Sequence, residues 1–115
     1  MPRPRKCRKV CRLPLHGEFR PVNGNRKNII VLTVDEYETV RLIDKEGFSQ
    51  EQCGVYMHIA RTTVQQIYTS ARKKIAHALV DGCVIKIYGG DYELCDGKEH
   101  SCGCGGCHRH RTDCL

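Results

Sequence analysis

Between residues 34 and 82 the apolar residues recur at intervals of three and four, the pattern of helices that bury one face. Tyr37, Val40 and Ile43, with Leu42 alongside, form the first series. Thr33-Val34-Asp35-Glu36 precedes it as a capping box: the threonine hydroxyl accepts the amide three residues on, and Glu36 reaches back to the Thr33 amide. Gly47 supplies a left-handed residue at the other end, so a first helix is expected over about 34–46. Ser49-Gln50-Glu51-Gln52 repeats the device and starts a second helix running to about Met57. After a short turn at His58 to Ala60, the residues Val64, Ile67, Ala71, Ile75, Ala78 and Leu79 mark the buried side of a third helix that ends at Gly82.

The flanks carry other patterns. Asn28 to Thr33 (NIIVLT) is β-branched and reads either as a short strand or as an apolar lead-in to the first helix. Cys83 to Tyr88 (CVIKIY) alternates, Gly89-Gly90 is a turn signal, and Tyr92 to Cys95 (YELC) is expected to pair back as a hairpin. Two strands alone are marginal, so such a hairpin must lean on the helices or on another subunit. Pro2, Pro4, Pro14 and Pro21 keep a helix of normal length out of residues 1–28, which read as an arm with at most a short extended piece. From Asp96 the chain is rich in Gly, Cys and His without apolar periodicity, and order there requires a ligand.

Composition narrows this picture. A chain of 115 residues is one small domain, and no Trp, two Phe and five Tyr leave its core thin. The longest aliphatic run, Ile29 to Leu32, is far short of the ~20 residues that cross a bilayer, and the start MPRPRKCRKVCR has no apolar stretch resembling a signal peptide. The expectation is a cytoplasmic chain with no membrane partner. Its net charge of +6 is unevenly spread. Residues 1–12 hold Arg3, Arg5, Lys6, Arg8, Lys9 and Arg12 with no acid, and residues 61–80 hold Arg61, Arg72, Lys73 and Lys74 with no acid, whereas residues 35–60 are net acidic. A polyanion is the natural partner of such cationic segments; the bland alternative is a solvated tail and a helix with a basic face.

The stretch QEQCGVYMHIARTTVQQIYT, residues 50–69, decides between these. Two helices crossing steeply over a tight turn need apolar side chains at fixed places and one very small residue. Counting Gln50 as first, the apolar places are filled by Cys53, Met57, Ile59, Val64 and Ile67, the place of closest approach holds Gly54, and the ninth place, where the turn visits positive φ, holds His58. The polar face of the third helix is Arg61, Thr62, Thr63, Gln65, Gln66, Thr69, Arg72 and Lys73. Arginine and glutamine near a helix start make two-pronged hydrogen bonds to guanine and adenine edges in a major groove, and Thr62 or Thr63 adds a thymine-methyl or phosphate contact. Arg72, Lys73 and Lys74 are better placed for phosphates. Arg3 and Arg5 in the arm suit a minor groove beside a docked helix. The fold class expected is mainly α: a three-helix helix-turn-helix domain over 29–95 with a short C-terminal β-hairpin, between a basic arm (1–28) and a Cys/His-rich tail (96–115).

The segment EQCGVYMHIARTTVQQIYTSARKKIA resembles region four of bacterial primary sigma factors in its E-x-C-G entry, its I-A-R-T-T-V-Q-Q-I stretch and the A-R-K-K that follows. From MPRPRKCRKVCRLP through LTVDEYETVRLIDKEGFSQEQCG to ARKKIAHALVDG and IYGGDYEL, about residues 1–95, the chain is similar to the uncharacterised prokaryotic family called domain of unknown function 134. The resemblance implies a sigma-region-four-like helix-turn-helix and DNA binding, with no assigned activity. It also implies major-groove duty for Arg61, Thr62, Gln65 and Gln66. Thr62 and Gln65 stand where sigma factors tend to carry charged residues, which sets promoter recognition of the sigma type apart. Ala60 stands where Ser or Thr would cap the recognition helix, a loss of about 1 kcal/mol unless another group caps it.

Nine cysteines in a chain expected in a reducing compartment point to metal or redox chemistry. Cys102, Cys104, Cys107 and His108 form the candidate metal set, with Zn²⁺ suited to mixed thiolate and imidazole and an iron–sulfur cluster as the alternative. Cys7 and Cys11 could complete such a site or be two thiols in a basic arm, while Cys53 and Cys83 read as small buried hydrophobes. No nucleophile-base-acid set, paired carboxylates or phosphate-cradling glycine loop suggests an enzyme. The function expected is sequence-specific binding of double-stranded DNA in transcriptional regulation, metal- or redox-responsive through the tail. The alternative is a metal-handling or iron–sulfur accessory protein whose helices bind protein. A homodimer paired through the hairpin strands is the further partner considered.

Overall fold

The computed structural model describes residues 8–23 and 28–94. All three expected helices are present, and both capping boxes form. Thr33 Oγ1 accepts the Glu36 amide and Glu36 Oε1 accepts the Thr33 amide at 2.9 Å, starting α1 (Val34–Val40). The same helix continues over Arg41–Lys45 in wider, π-helical turns, and Gly47, at φ +80°, follows it. Ser49 Oγ accepts the Gln52 amide at 3.0 Å and Gln52 Oε1 accepts the Ser49 amide at 2.9 Å, starting α2 (Gln50–Met57). Ala60 precedes α3 (Arg61–Asp81), and among the described residues no side chain caps that end. The uncapped start expected from the sequence is therefore real.

The apolar faces meet in two clusters. Cys11, Leu42, Cys53, Met57 and Val64 form one, flanked by Ile43, Phe48, Tyr56 and Ile59, and hold α2 against α1 and the first half of α3. Leu32, Ala71 and Ile87 form the other, with Tyr37, Val40, Ile75 and Ile85 against it, where α3 lies on a small sheet. Four of the five apolar helix-turn-helix residues, with Ile59 at the edge, thus pack near the crossing or along α3, and Cys53 and Cys83 are buried as expected.

The strands differ from the expectation. Asn28–Thr33 resolves to a strand, β3 (Ile29–Leu32), after β1 (Arg8–Val10) and β2 (Glu18–Phe19). The two C-terminal strands exist, β4 (Val84–Ile87) and β5 (Tyr92–Leu94), but they do not pair as a hairpin. β4 lies between β3, parallel to it, and β2, antiparallel. β5 pairs in parallel with β1, Arg8 opposite Tyr92 and Val10 opposite Leu94. The physical reason is burial. Ile85 and Ile87 join the cluster on α3, and the Gly89-Gly90 turn, at φ +76° and +96°, carries the chain from one sheet to the other.

The described part of the basic arm is likewise part of the domain. Val10 is fully buried, Lys9 and Cys11 are buried, and Cys11 sits in the first cluster as a core side chain. A buried ion pair fastens this strand. Arg41 Nε and Nη2 donate to the two oxygens of Glu38 at 2.6 and 3.1 Å, and Glu38 Oε2 also accepts the Cys11 amide at 2.9 Å. Both side chains are almost wholly shielded from water, so the pair stands only because these bonds compensate the lost hydration. Among the described residues no helix is long and apolar enough to cross a membrane.

Candidate nucleic-acid interface

The turn between α2 and α3 is built around one close approach. A Cβ on Gly54 would lie 2.7 Å from the backbone oxygen of Ile59 and 3.4 Å from Val64 Cγ2, so only glycine lets α2 lie against the turn without a shift. His58 takes the left-handed conformation, φ 60°, and ends α2. An L-residue there is strained by roughly 1 kcal/mol. The strain is held in place because Ile59 N–H bonds Gly54 O at 2.9 Å and Val64 N–H bonds Ala60 O at 3.0 Å on either side of the turn. The outcome is that α3 begins at the surface.

Each turn of α3 then presents the same sides. Val64, Ala71 and Ala78 point inward. Arg61, Thr62, Gln65, Gln66, Thr69, Arg72 and Lys73 occupy the opposite arc, and all seven are exposed. Thr63 falls outside that arc. It is half-buried and lines a hollow with Gly54, Val55, His58, Ile59, Ala60 and Arg8. No acidic side chain occurs in α3 before Asp81, and none lies in its first turn. The uncapped amides and positive dipole end of α3 therefore add to the Arg61 charge rather than being offset.

Two of the three basic side chains expected to meet phosphates have partners within the chain. Lys74 turns inward, where its Nζ donates to Glu36 Oε1 at 2.7 Å beside Ser70, whose hydroxyl donates to Glu36 Oε2 at 2.7 Å. Burial acts to raise the Glu36 carboxyl, but the bonds from Lys74, Ser70 and Thr33 outweigh it and hold the group below its ordinary value. Lys74 is thus neutralised by α1. Arg72 stays exposed but is tethered: its Nη1 donates to the Tyr68 hydroxyl at 2.8 Å, its guanidinium stacks 5.4 Å from the ring centre, and Tyr68 donates to Asp44 Oδ1 at 2.7 Å. Desolvation and the bond to Asp44 raise the Tyr68 phenol, which keeps its proton at neutral pH. Sequence reasoning missed Tyr68 and Asp44. The i, i+4 spacing of Tyr68 and Arg72 signals the stack, whereas Asp44 lies on another element and leaves no local trace.

Arg8 marks where the chain enters the domain. It lines the hollow at the α2–α3 turn and a second cleft with Gln66, Ser70 and Lys74, and it pairs with Asp91 at 3.3 Å and Asp35 at 3.8 Å. The chain therefore enters beside the first half of α3. Arg3 and Arg5, and the candidate metal ligands Cys102, Cys104, Cys107 and His108, lie outside the described residues. Among the described residues no group of three or more His, Cys, Asp or Glu side chains is placed to hold a metal ion.

The structure is a small, mainly α domain of three helices with short strands, and its third helix shows solvent a basic, acid-free face over its first four turns. The chain belongs to the family described as "Protein of unknown function DUF134", which it matches over residues 1–95. It is similar to the "UPF0251 protein DSY3441" of Desulfitobacterium hafniense strain Y51, 56% identical over 113 residues, covering 96% of this chain and 90% of that protein. A UPF0251 protein of Caldicellulosiruptor bescii is 44% identical over 105 residues, 91% of this chain and 74% of its own length. One from Thermoanaerobacter pseudethanolicus is 44% identical over 98 residues, covering 84% and 83%. No solved structure matches the chain.

Proposed function

We propose that this protein binds double-stranded DNA sequence-specifically as a transcriptional regulator, with α3 as the recognition helix. The observation that carries the reading is the exposed arc of Arg61, Thr62, Gln65, Gln66, Thr69, Arg72 and Lys73, with no acid on the helix until Asp81. A surface facing only water mixes charge signs, and this one does not. Arg61, Gln65 and Gln66 read base edges, while Arg72 and Lys73, further from the helix start, hold phosphates. The resemblance of residues 51–76 to sigma factor region four supports the same placement.

Arg8 lies beside Thr63 and Gln66, and Arg3 and Arg5, a few residues before it in the sequence, are assigned to the adjacent minor groove. The Cys102, Cys104, Cys107 and His108 set is a Zn²⁺ site on sequence grounds alone, and it would make binding metal-responsive. Selection of bound duplexes from a random pool, run with and without zinc, tests both parts. A recovered consensus supports the regulator, and its dependence on zinc supports the tail's role; a pool that stays random overturns the sequence-specific reading.

A further inference from the structure

Tyr68, Arg72 and Asp44 form a surface cluster that adds little to folding. Tyr68 donates to Asp44 Oδ1 at 2.7 Å and accepts from Arg72 Nη1 at 2.8 Å, while Arg72 Nη1 stands 3.9 Å from the same carboxylate oxygen. The Arg72 and Asp44 side chains are 62% and 40% exposed. Charges paired in such a setting contribute little stability, and ordering a long arginine side chain has an entropic cost. A cluster of small stabilising value that nonetheless fixes a cation calls for another use.

The bonds determine which part of the guanidinium is left over. The phenol has one proton and Asp44 takes it, so the oxygen turns a lone pair to Arg72. Arg72 meets that lone pair with Nη1 and lies over the ring, 5.4 Å from its centre. Its Nε and Nη2, the side-on pair of donors, make no bond among the described residues. Such a pair points two N–H groups in parallel and takes two oxygens of one phosphate. Arg41 uses the same two atoms on the Glu38 carboxylate, at 2.6 and 3.1 Å. Lys73, beside Arg72, bonds no described side chain and offers an undirected point charge instead.

Position supplies the rest. Arg61, Gln65, Tyr68 and Arg72 follow at intervals of four, three and four and so share one line along α3. Arg72 is ~16 Å along that line from Arg61, and a major groove is ~12 Å wide, so with the start of α3 in the groove Arg72 reaches the sugar–phosphate strand that borders it. We infer that Tyr68 and Asp44 are positioning residues that hold the Nε–Nη2 edge of Arg72 ready for one phosphate of the duplex backbone. Asp44, an acid at the border of a basic face, thus strengthens DNA binding instead of opposing it. The inference rests on the reading of α3 as a recognition helix. A preset fork loses less freedom on binding than a loose side chain, a difference of roughly two- to tenfold in affinity for one long side chain. Repulsion between Asp44 and the duplex works the other way, but salt screens it over ~8 Å.

Fluorescence anisotropy of the full chain with a labelled duplex of mixed sequence, begun at low salt, tests this, since a phosphate contact needs no particular bases. Tyr68→Phe keeps the ring and loses the hydroxyl. It is expected to weaken binding roughly two- to tenfold, and to change nothing further in an Arg72→Ala background. Asp44→Ala is expected to weaken binding as well, although it removes a negative charge. Arg72→Lys keeps the charge and loses the fork, so binding should weaken with the log–log salt slope unchanged. Asp44→Ala that binds more tightly overturns the inference. So does a Tyr68→Phe loss that is equal with and without Arg72, the mark of a merely structural effect. A wild type that binds no duplex even at low salt overturns the reading of α3 and the inference with it. A wild type that binds while these variants follow charge alone overturns the inference and leaves that reading in place.

Discussion

Replacing Glu38 by alanine removes at once the acceptor for Arg41 Nε at 2.6 Å, for Arg41 Nη2 at 3.1 Å and for the Cys11 amide at 2.9 Å. The guanidinium left behind is buried and keeps a long bond from Nη1 to Glu46 at 3.4 Å. Breaking such a pair on one side costs about 3–5 kcal/mol, since the buried guanidinium loses its two shortest charge-assisted bonds. Domains of this size are stable by ~5–15 kcal/mol in total, so the loss is a large part of the whole and lowers Tm by roughly 15–25 °C. Removing both charges together, as in Glu38→Leu with Arg41→Leu, strands no ion. It leaves the Cys11 amide without its acceptor, a residual cost of about 1–3 kcal/mol. Urea unfolding followed by circular dichroism on wild type, Glu38→Leu, Arg41→Leu and the double variant completes the cycle. Single variants that each cost under about 1 kcal/mol would refute the claim that this pair fastens β1 to α1.

Three further outcomes follow from the same structure. Ala60→Ser gives the bare start of α3 a capping hydroxyl and is expected to raise stability by about 1 kcal/mol, read as a higher urea midpoint at unchanged slope; no gain means that another group already caps it. Glu36 titrates in the folded chain below its ordinary value of 4.5, so its stabilising contribution is complete above that value and is lost as pH falls through the folded pKa. The stability difference between wild type and Glu36→Gln should therefore be flat from neutral pH to about 5 and shrink below it, and a difference unchanged in acid contradicts the Lys74 pairing. Burial, with the Glu38 charge adding to it and Arg41 opposing, pushes the Cys53 thiol up to about 12, so iodoacetamide at neutral pH should label it only as fast as the chain unfolds. Mass-spectrometric mapping that finds Cys53 labelled early in the folded chain contradicts its place in the core.

What the sequence makes legible here is what depends on neighbours within a few residues. Both capping boxes, the left-handed His58, the need for Gly54 and the bare Ala60 are local chemistry, and each recurs in the structure as read. The exposed arc of α3 follows from helical period alone. Strand pairing is different. Arg8 meets Asp91 across 83 residues of sequence, and neither CVIKIY nor YELC carries a sign that its partner is β3 or β1 rather than the other. Gly89-Gly90 marks a change of direction in either case. Lys74 looks like its basic neighbours until α1 places Glu36 2.7 Å away, and Leu79 keeps the apolar spacing at a point where no described residue covers it. Long-range packing decided each of these, and periodicity has no access to it.

The central claim is that the outward side of α3 reads DNA, and fluorescence-anisotropy titration of the selected duplex over a series of salt concentrations tests it most directly. Binding is expected to weaken steeply with salt. Gln65→Ala and Arg61→Ala should each lose about 1–3 kcal/mol and relax base preference, while Lys73→Ala should reduce the log–log salt slope by about 1 without altering that preference. Affinity that ignores both salt and these three substitutions would contradict the account.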